Sequence, residues 1–390
     1  MKHLHRILGL AGVALGLPST ATAQPDTLPA RPFVPGGAFD KPYLTRLMGR
    51  AAIGGYIEAH ARLSRTDGVV EERGFEARRF NLFTATQVSD LIRVGAELEF
   101  EEGAEEITLE FATIDFSIHR ALRFRAGMLL SPLGRFNLSH DSPLNEFTDR
   151  PLVSTELLGT ALSEPGLGAL GVFPVGRTGR ITYELYAVNG FTDGLIRNAA
   201  EGTRLPLGRG NVEDNNRSPA VVGRVTWSPD LDLEIGLSGH HGAYNVFEQD
   251  GLPIDQRRDV TIAVVDFNVA RRGFRLSGEA AVAQVDIPAP LRGLFAEGQR
   301  GLYVEVLRDF GAGWIPTMPN AHFSAGARFD LVDLDTDLPG DNTRQLTLGV
   351  NFRPTPDSVF KMNYVRGRNR DRFNHASQQV GFQLSLATYF

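Results

Sequence analysis

Apolar and polar side chains alternate along short segments that repeat from about residue 53 to the end of the chain. In the segment 91–101, isoleucine, valine, alanine, leucine and phenylalanine occupy the even positions from 92 to 100, and arginine, glycine and glutamate occupy the odd positions from 93. Because successive side chains of a β-strand point to opposite faces, a period of two indicates strands. Each segment is therefore predicted to be a strand with one apolar and one polar face.

Sixteen such segments can be delimited. They span residues 53–64, 75–86, 91–101, 106–117, 121–131, 165–175, 181–189, 218–227, 231–241, 258–269, 274–286, 300–309, 321–330, 344–353, 358–367 and 377–390. Most connections after odd-numbered segments are long, and most after even-numbered segments are short and rich in turn residues. The long ones are 65–74, 132–164, 190–217, 242–257, 287–299, 331–343 and 368–376. Two connections depart from this rule, because 102–105 is short and 310–320 is long.

An even number of strands, with long loops at one end and tight turns at the other, is typical of bacterial outer-membrane barrels. A soluble β-sandwich also alternates, but the connection lengths favour the barrel. A charge facing lipid at mid-bilayer would cost about 2–4 kcal/mol, so the polar face must line the lumen. We therefore predict an all-β fold, a transmembrane antiparallel β-barrel in the outer membrane of a Gram-negative-type bacterium.

The first residues have the pattern of a secretory signal peptide. Lys2 and Arg6 precede an apolar run, and Ala21-Thr22-Ala23 supplies the small residues of a cleavage site. The run is shorter than the roughly 18 apolar residues that a membrane-spanning helix needs. The predicted division is a signal peptide at 1–23, a periplasmic leader at 24–52 and a barrel at 53–390, with a short helix or plug-like element at 41–52.

The last segment ends on an aromatic residue. Its apolar face carries Val380, Phe382, Leu384, Leu386, Thr388 and Phe390. This face resembles the C-terminal strand that barrel-assembly machinery recognises, which implies that machinery as a partner. Aromatic residues near segment ends are predicted to form interfacial girdles in contact with outer-membrane lipid and lipopolysaccharide. They are Tyr183, Trp227, Tyr364 and Tyr389.

The amino-acid composition excludes several kinds of site and function. The chain has no cysteine, which excludes disulfides and thiol catalysis. Its positive charge comes almost entirely from arginine, because only Lys2, Lys41 and Lys361 are lysines. Removing the two cations of the signal peptide leaves 38 basic and 46 acidic residues, a net charge of −8, which does not suit a nucleic-acid binder. No metal site, cofactor or catalytic residue is predicted.

Several runs carry a family resemblance. They are Gly127–Asn137, His140–Ser142, Phe147–Val153, Tyr183–Gly190, Gly301–Val306 and Leu348–Phe352. These runs resemble the phosphate-selective porin O and P family of outer-membrane porins. The resemblance implies a sixteen-stranded barrel, usually trimeric, whose third long loop folds inward, and in the best-known members lysine and arginine attract phosphate. The loop 132–164 departs from that pattern, because it has no lysine and its acids outnumber its arginines.

When every outward connection is counted, including the short one at 102–105, the third is 132–164; leaving 102–105 out would make it 190–217. With 132–164 as the inward loop, its charged residues become candidates for the pore constriction. They are Arg135, His140, Asp141, Glu146, Asp149, Arg150 and Glu156. The predicted inner face supplies candidate pore-lining residues of both signs. They are Arg93, Arg123, Arg125, Arg275 and Arg328, and opposite them Glu97, Glu99, Asp232, Glu234 and Glu279. Such charges can orient polar solutes or pair across strands to stabilise the wall, and the sequence leaves both interpretations open.

The predicted function is a water-filled channel for passive diffusion of small hydrophilic solutes or ions. Anions such as phosphate are among the possible solutes. The expected assembly is a homotrimer. Two alternatives remain. An adhesin or receptor barrel would bind its partner through the loop 190–217. A barrel hydrolase would use His140 and Ser142, although consecutive loop residues do not by themselves form a catalytic triad.

Overall fold

The computed structural model describes residues 45–48 and 51–390, and within them most residues lie in β-strands. The strands are β1 Thr45–Met48, β2 Ala51–Thr66, β3 Val69–Gln87, β4 Ile92–Glu101, β5 Glu106–His119, β6 Leu122–Leu130, β7 Ser163–Val175, β8 Gly179–Val188, β9 Ala220–Ser228, β10 Leu233–Ala243, β11 Glu248–Gln249, β12 Leu252–Pro253, β13 Asp259–Arg271, β14 Phe274–Val285, β15 Gly298–Phe310, β16 His322–Asp333, β17 Asn342–Thr355, β18 Ser358–Arg370 and β19 Ala376–Tyr389.

Among residues 45–48 and 51–390, helical segments are confined to the connections. They are 3₁₀ turns at Glu102–Ala104, Asp193–Ile196, Leu205–Gly208 and Ala289–Leu291, one α-helical turn at Arg135–Leu138 and one π-helical turn at Val153–Leu158. In the described part of the chain, no helix has the length and apolar character needed to cross a membrane.

Sixteen strands, β2–β10 and β13–β19, form one closed antiparallel sheet. Each pairs with its neighbours along the chain, and β19 pairs with β2 to close the ring. Every predicted segment overlaps one of these strands, so the sixteen-stranded barrel is confirmed. Closure matters physically, because in lipid an open sheet edge would leave its backbone N–H and C=O groups without partners.

The alternation sorts side chains between the two faces of the wall. On β10 and β13, the neighbours Leu237 and Val265 point outward and are 63% and 50% exposed. One position along, Ser238 and Asp266 point inward and are buried. The outer surface is therefore apolar at mid-strand, as a surface in contact with lipid must be.

Two local predictions at the N-terminal end are wrong. Residues 41–52 do not form a helix within the described part, because Thr45–Met48 is a strand that pairs with the start of β2. The predicted loop 65–74 is instead a hairpin, in which Asp67 and Gly68 form a two-residue turn with positive φ of 50° and 87°. Asp-Gly is favoured in such tight turns, so both strands extend to the turn. The signal peptide 1–23 and leader residues 24–44 lie outside the described residues.

The aromatic belt differs in part from the prediction. Tyr389 is not in it, because it shares the inward face with Ser385 and its hydroxyl donates to Asp141 at 2.9 Å. Trp227 does point outward, and Tyr183 stacks on Phe173 at 5.7 Å. At the short-turn end, a row of outward rings has centroids 5.0–6.2 Å apart. They belong to Phe310, Trp314, Phe323, Phe352 and Phe360.

We expect Leu237→Arg to destabilise the barrel by about 2–4 kcal/mol, because it places a charge against the hydrocarbon at mid-strand. Unfolding by urea in lipid vesicles, followed by tryptophan fluorescence, measures this change. Ile254→Arg is the matched control, because Ile254 is an exposed apolar residue of the connection between β12 and β13. Equal effects at the two positions would contradict an outward face buried in lipid.

Candidate functional site inside the barrel

The connection between β6 and β7, residues 131–162, folds into the barrel and touches its wall on several sides. His140 approaches Glu110 of β5, with 3.0 Å between Nε2 and Oε1. The backbone N–H of Thr148 donates to Asn363 of β18 at 2.7 Å. Arg328 of β16 donates to the carbonyl oxygen of Asp149 at 2.9 Å. We call residues 131–162 the inner loop, because it crosses the lumen between these strands.

Asn137 holds the two ends of the inner loop together. Its amide nitrogen donates to the carbonyl oxygens of Ser131 and Leu162 at 2.7 and 3.0 Å, and its amide oxygen accepts from the N–H of Leu162 at 2.9 Å. The wall secures the adjacent residues, since Gly134 N–H donates to Ser238 and Phe136 N–H donates to Glu279. These bonds satisfy backbone groups that would otherwise be buried without partners.

Glu146 is the most strongly anchored charge of the inner loop. Its carboxylate accepts from Arg275 at 2.6 Å, Arg353 at 3.0 Å, Asn351 at 2.8 Å and Ser324 at 3.0 Å, all on strands β14, β16 and β17. Burial alone would raise the pKa of Glu146, but the two arginines outweigh it and hold that pKa well below its usual range. The carboxylate is therefore ionised and paired with the wall.

A second anchor forms around Glu58 of β2. This buried carboxylate lies 2.8 Å from Arg79 and 2.7 Å from His60, and it accepts the hydroxyl hydrogen of Ser142. Lys361 of β18 donates to the carbonyl oxygen of Ser142 at 2.8 Å. This group was not among the predicted site residues, although Glu58 and His60 occupy alternate positions of the predicted strand 53–64.

The predicted constriction residues do not form one ring. Glu146 lies in the arginine anchor, and His140 and Asp141 are buried against Glu110 and Tyr389. Asp149 pairs with Arg62 of β2 at 2.8 Å, and Arg150 lies 3.5 Å from Glu99 of β4. Arg135 is half-buried and Glu156 is exposed. Asp149 and Arg150 each combine a wall partner with partial access to water.

The predicted pore-lining residues also differ in exposure. Six are buried inside the barrel, namely Glu97, Glu99, Arg125, Glu234, Glu279 and Arg328. Arg123 and Arg275 are half-buried. Arg93 is exposed near the start of β4, and Asp232 is outside the strands, in the turn before β10 beside Arg271 at 3.9 Å.

Several of these arginines pair with wall carboxylates. Arg125 lies 2.7 Å from Asp115, and Arg328 lies 2.9 Å from Asp330. Besides Glu146, Arg275 binds Asp309 at 2.7 Å. Arg125 and Arg275 thus pair with carboxylates of neighbouring strands, and Arg328 pairs within its own strand.

The long connection between β8 and β9, residues 189–219, lies across the long-loop end of the barrel. Arg204 forms a bidentate pair with Asp341 at 2.8 and 3.1 Å. The hydroxyl of Thr203 donates to the carbonyl oxygen of Ala296 at 2.8 Å. We call residues 189–219 the cover loop, because these bonds tie it to two other connections at that end.

His140 and Ser142 have different partners, which are Glu110 and Glu58. A catalytic triad instead requires the nucleophile to bond to the histidine. Among residues 45–48 and 51–390, no group of three or more histidine or acidic residues is arranged to hold a metal ion.

A closed sixteen-stranded antiparallel barrel with an inward-folded loop and an apolar outer surface is the architecture of an outer-membrane β-barrel of the porin type. No family model matches the chain. An uncharacterized protein of Aquifex aeolicus (strain VF5) is 29% identical over 196 residues, which cover 48% of this chain and 43% of that protein. The chain thus spans less than half the length of this relative.

Solved structures with a similar fold are outer-membrane proteins. The anion-selective porin from Comamonas acidovorans is 13% identical over 87% of this chain and 99% of its own, with a TM-score of 0.57. The outer membrane channel DcaP of Acinetobacter baumannii is 13% identical over 87% and 97%, with a TM-score of 0.57. The trimer form of OmpT, an outer membrane protein of Vibrio cholerae, is 12% identical over 88% and 100%, with a TM-score of 0.54. At these identities the likeness establishes the fold.

We expect Glu146→Gln to loosen the inner loop and to lower the free energy of unfolding by about 1.5–3 kcal/mol, because the buried Arg353 and the half-buried Arg275 lose a charged acceptor. Hydrogen exchange of residues 131–162 and urea unfolding in vesicles measure both effects. Glu248→Gln, in the exposed β11 hairpin, is the control. Unchanged exchange in the inner loop would show that Glu146 does not anchor it.

The ion pairs of Glu146 also predict that the stability of the barrel depends on pH. Because the pKa of Glu146 is lower in the folded than in the unfolded chain, its contribution to stability is complete at pH 7. It declines as the pH falls below about 4, the ordinary range of a glutamate. The stability difference between wild type and Glu146→Gln should therefore shrink between pH 7 and pH 3. A difference that stays constant over this range would contradict the assigned ion pairs.

Proposed function

We propose that the protein is a channel that lets small hydrophilic solutes or ions diffuse passively across the outer membrane. The observation that supports this most directly is the inner loop, which crosses the lumen and leaves charged side chains such as Asp149 and its partner Arg62 partly exposed to water. A loop that narrows a polar lumen selects solutes by size and charge while binding them weakly. The porin fold supports the same function.

The finer features of this proposal are the solute, the assembly and the cellular partners. The Comamonas porin is described as anion-selective, so we propose anions, phosphate included, as the first solutes to test. The Vibrio protein has a trimer form, so we propose a homotrimer as the assembly to test. The phosphate-selective porin O and P resemblance supports both. A signal peptide at 1–23, recognition of the strand ending in Phe390 by assembly machinery, and contact with lipopolysaccharide complete the proposal.

The adhesin alternative has less support, because Thr203 and Arg204 tie the cover loop to other connections. The hydrolase alternative also has less support, since Ser142 is bonded to Glu58.

Planar-bilayer recording of the purified, refolded protein tests the channel. We expect stepwise increases in conductance, because each inserted barrel would add one water-filled path. Reversal potentials in asymmetric potassium chloride, with and without phosphate, then give the ion preference. The detergent buffer without protein is the control. A bilayer that stays sealed when folded barrels have demonstrably inserted would overturn the proposed function.

A further inference from the structure

At the long-loop end, one side of the lumen is lined by apolar side chains. β13 and β14 turn Val260, Ile262, Val264, Ala281 and Ala283 inward at this level, where a water-filled lumen would require polar residues. None is more than 4% exposed. Because apolar groups in contact with water are unfavourable, something must cover them.

The inner loop and the cover loop supply that covering. The π-helical turn Val153–Leu158 packs on β14, β15 and β16 and on the 3₁₀ turn Leu205–Gly208 of the cover loop. The buried side chains that the two loops add to this core are Leu133, Val153, Leu157, Leu158, Leu162, Phe191, Leu195 and Leu205. A packed apolar interior has few voids as large as a water molecule, and it repels ions. This side of the lumen is therefore closed to hydrated solutes.

The opposite side of the lumen, formed by β2, β3 and β4, has a different character at the same end. Its inward side chains are charged, and those of Arg62, Glu76, Arg78 and Glu101 are 24%, 33%, 23% and 19% exposed. Asp149 of the inner loop faces them and is 28% exposed. Water thus reaches the gap between the inner loop and strands β2–β4. We call these five charged side chains, four from the wall and one from the inner loop, the charged margin.

The charges in this margin form a mixed chain. Arg62 lies 2.8 Å from Asp149 and 3.8 Å from Glu76, and Arg78 lies 2.9 Å from Glu76 and 3.5 Å from Glu101. Pairs that are partly open to water are weak, so a passing ion can compete for either partner. Arg62, Arg78 and Glu76 were not among the residues predicted from the sequence as pore-lining.

We infer that the permeation path is eccentric. It runs along β2–β4 between the wall and the inner loop, and Arg62, Glu76 and Arg78 determine its ion preference. This inference rests on the proposed channel function. The solutes that fit are small hydrated ions or zwitterions, because the margin offers acceptors and donors side by side.

The absence of cysteine from the chain makes a direct test possible. Single variants Arg62→Cys, Glu76→Cys and Arg78→Cys introduce a thiol into the charged margin. Val264→Cys and Ala281→Cys, which introduce it into the apolar side, are matched controls that also point inward. Each folded variant is recorded in a planar bilayer before and after addition of a negatively charged methanethiosulfonate reagent.

We expect the reagent to change single-channel conductance at positions 62, 76 and 78 within minutes, and to shift the reversal potential towards cation preference, because it adds a negative charge to the path. No change is expected at 264 and 281. Changes at 264 or 281 of similar size, or inert thiols at all three margin positions, would overturn the eccentric path. A wild-type protein without conductance would instead overturn the channel function itself, so the two failures are distinguishable.

Discussion

The structure depends on one constraint, which is that a sheet immersed in lipid must pair every backbone N–H and C=O group within itself. The pairing of β19 with β2, from Gln379 beside Thr66 to Tyr389 beside Tyr56, removes the last open edge. Once the sheet is closed, each strand has one face towards lipid and one towards a lumen. The alternating sequence, the apolar exterior and the charged interior all follow from that closure.

Closure also creates an interior that the chain must fill or hydrate, and the inner loop does this with two kinds of interaction. Its polar contacts centre on Glu146 and on Glu58 of the wall, and both of these buried carboxylates have cationic partners, because an unpaired buried charge would be strongly destabilising. Its apolar segment, Val153–Leu158, packs against β14–β16 without any polar anchor of comparable strength. The loop is therefore fixed in place while one margin stays accessible to water.

The sequence was informative wherever a local rule applied. A period of two located every barrel strand, and turn residues located most of the tight turns. It failed where the choice depended on neighbours in space. The stretch 65–74 could be either a loop or a longer hairpin, and the Asp67-Gly68 turn favours the hairpin only when β2 and β3 are already paired. Tyr389 lies near the strand end as predicted, but its inward direction follows from the register with Tyr56.

The two-residue period of the sequence was enough to predict sixteen strands and the lumen face of most strand residues, because that period depends only on local spacing. The inward fold of 132–164 was an expectation from the family resemblance. Which charges meet depends on the three-dimensional arrangement of the strands and loops. Glu146 finds Arg275 and Arg353 more than a hundred positions away, and Val264 belongs to a packed core although its strand face is the lumen face. Such contacts depend on how a closed sheet and two folded loops share one volume, which no local pattern specifies.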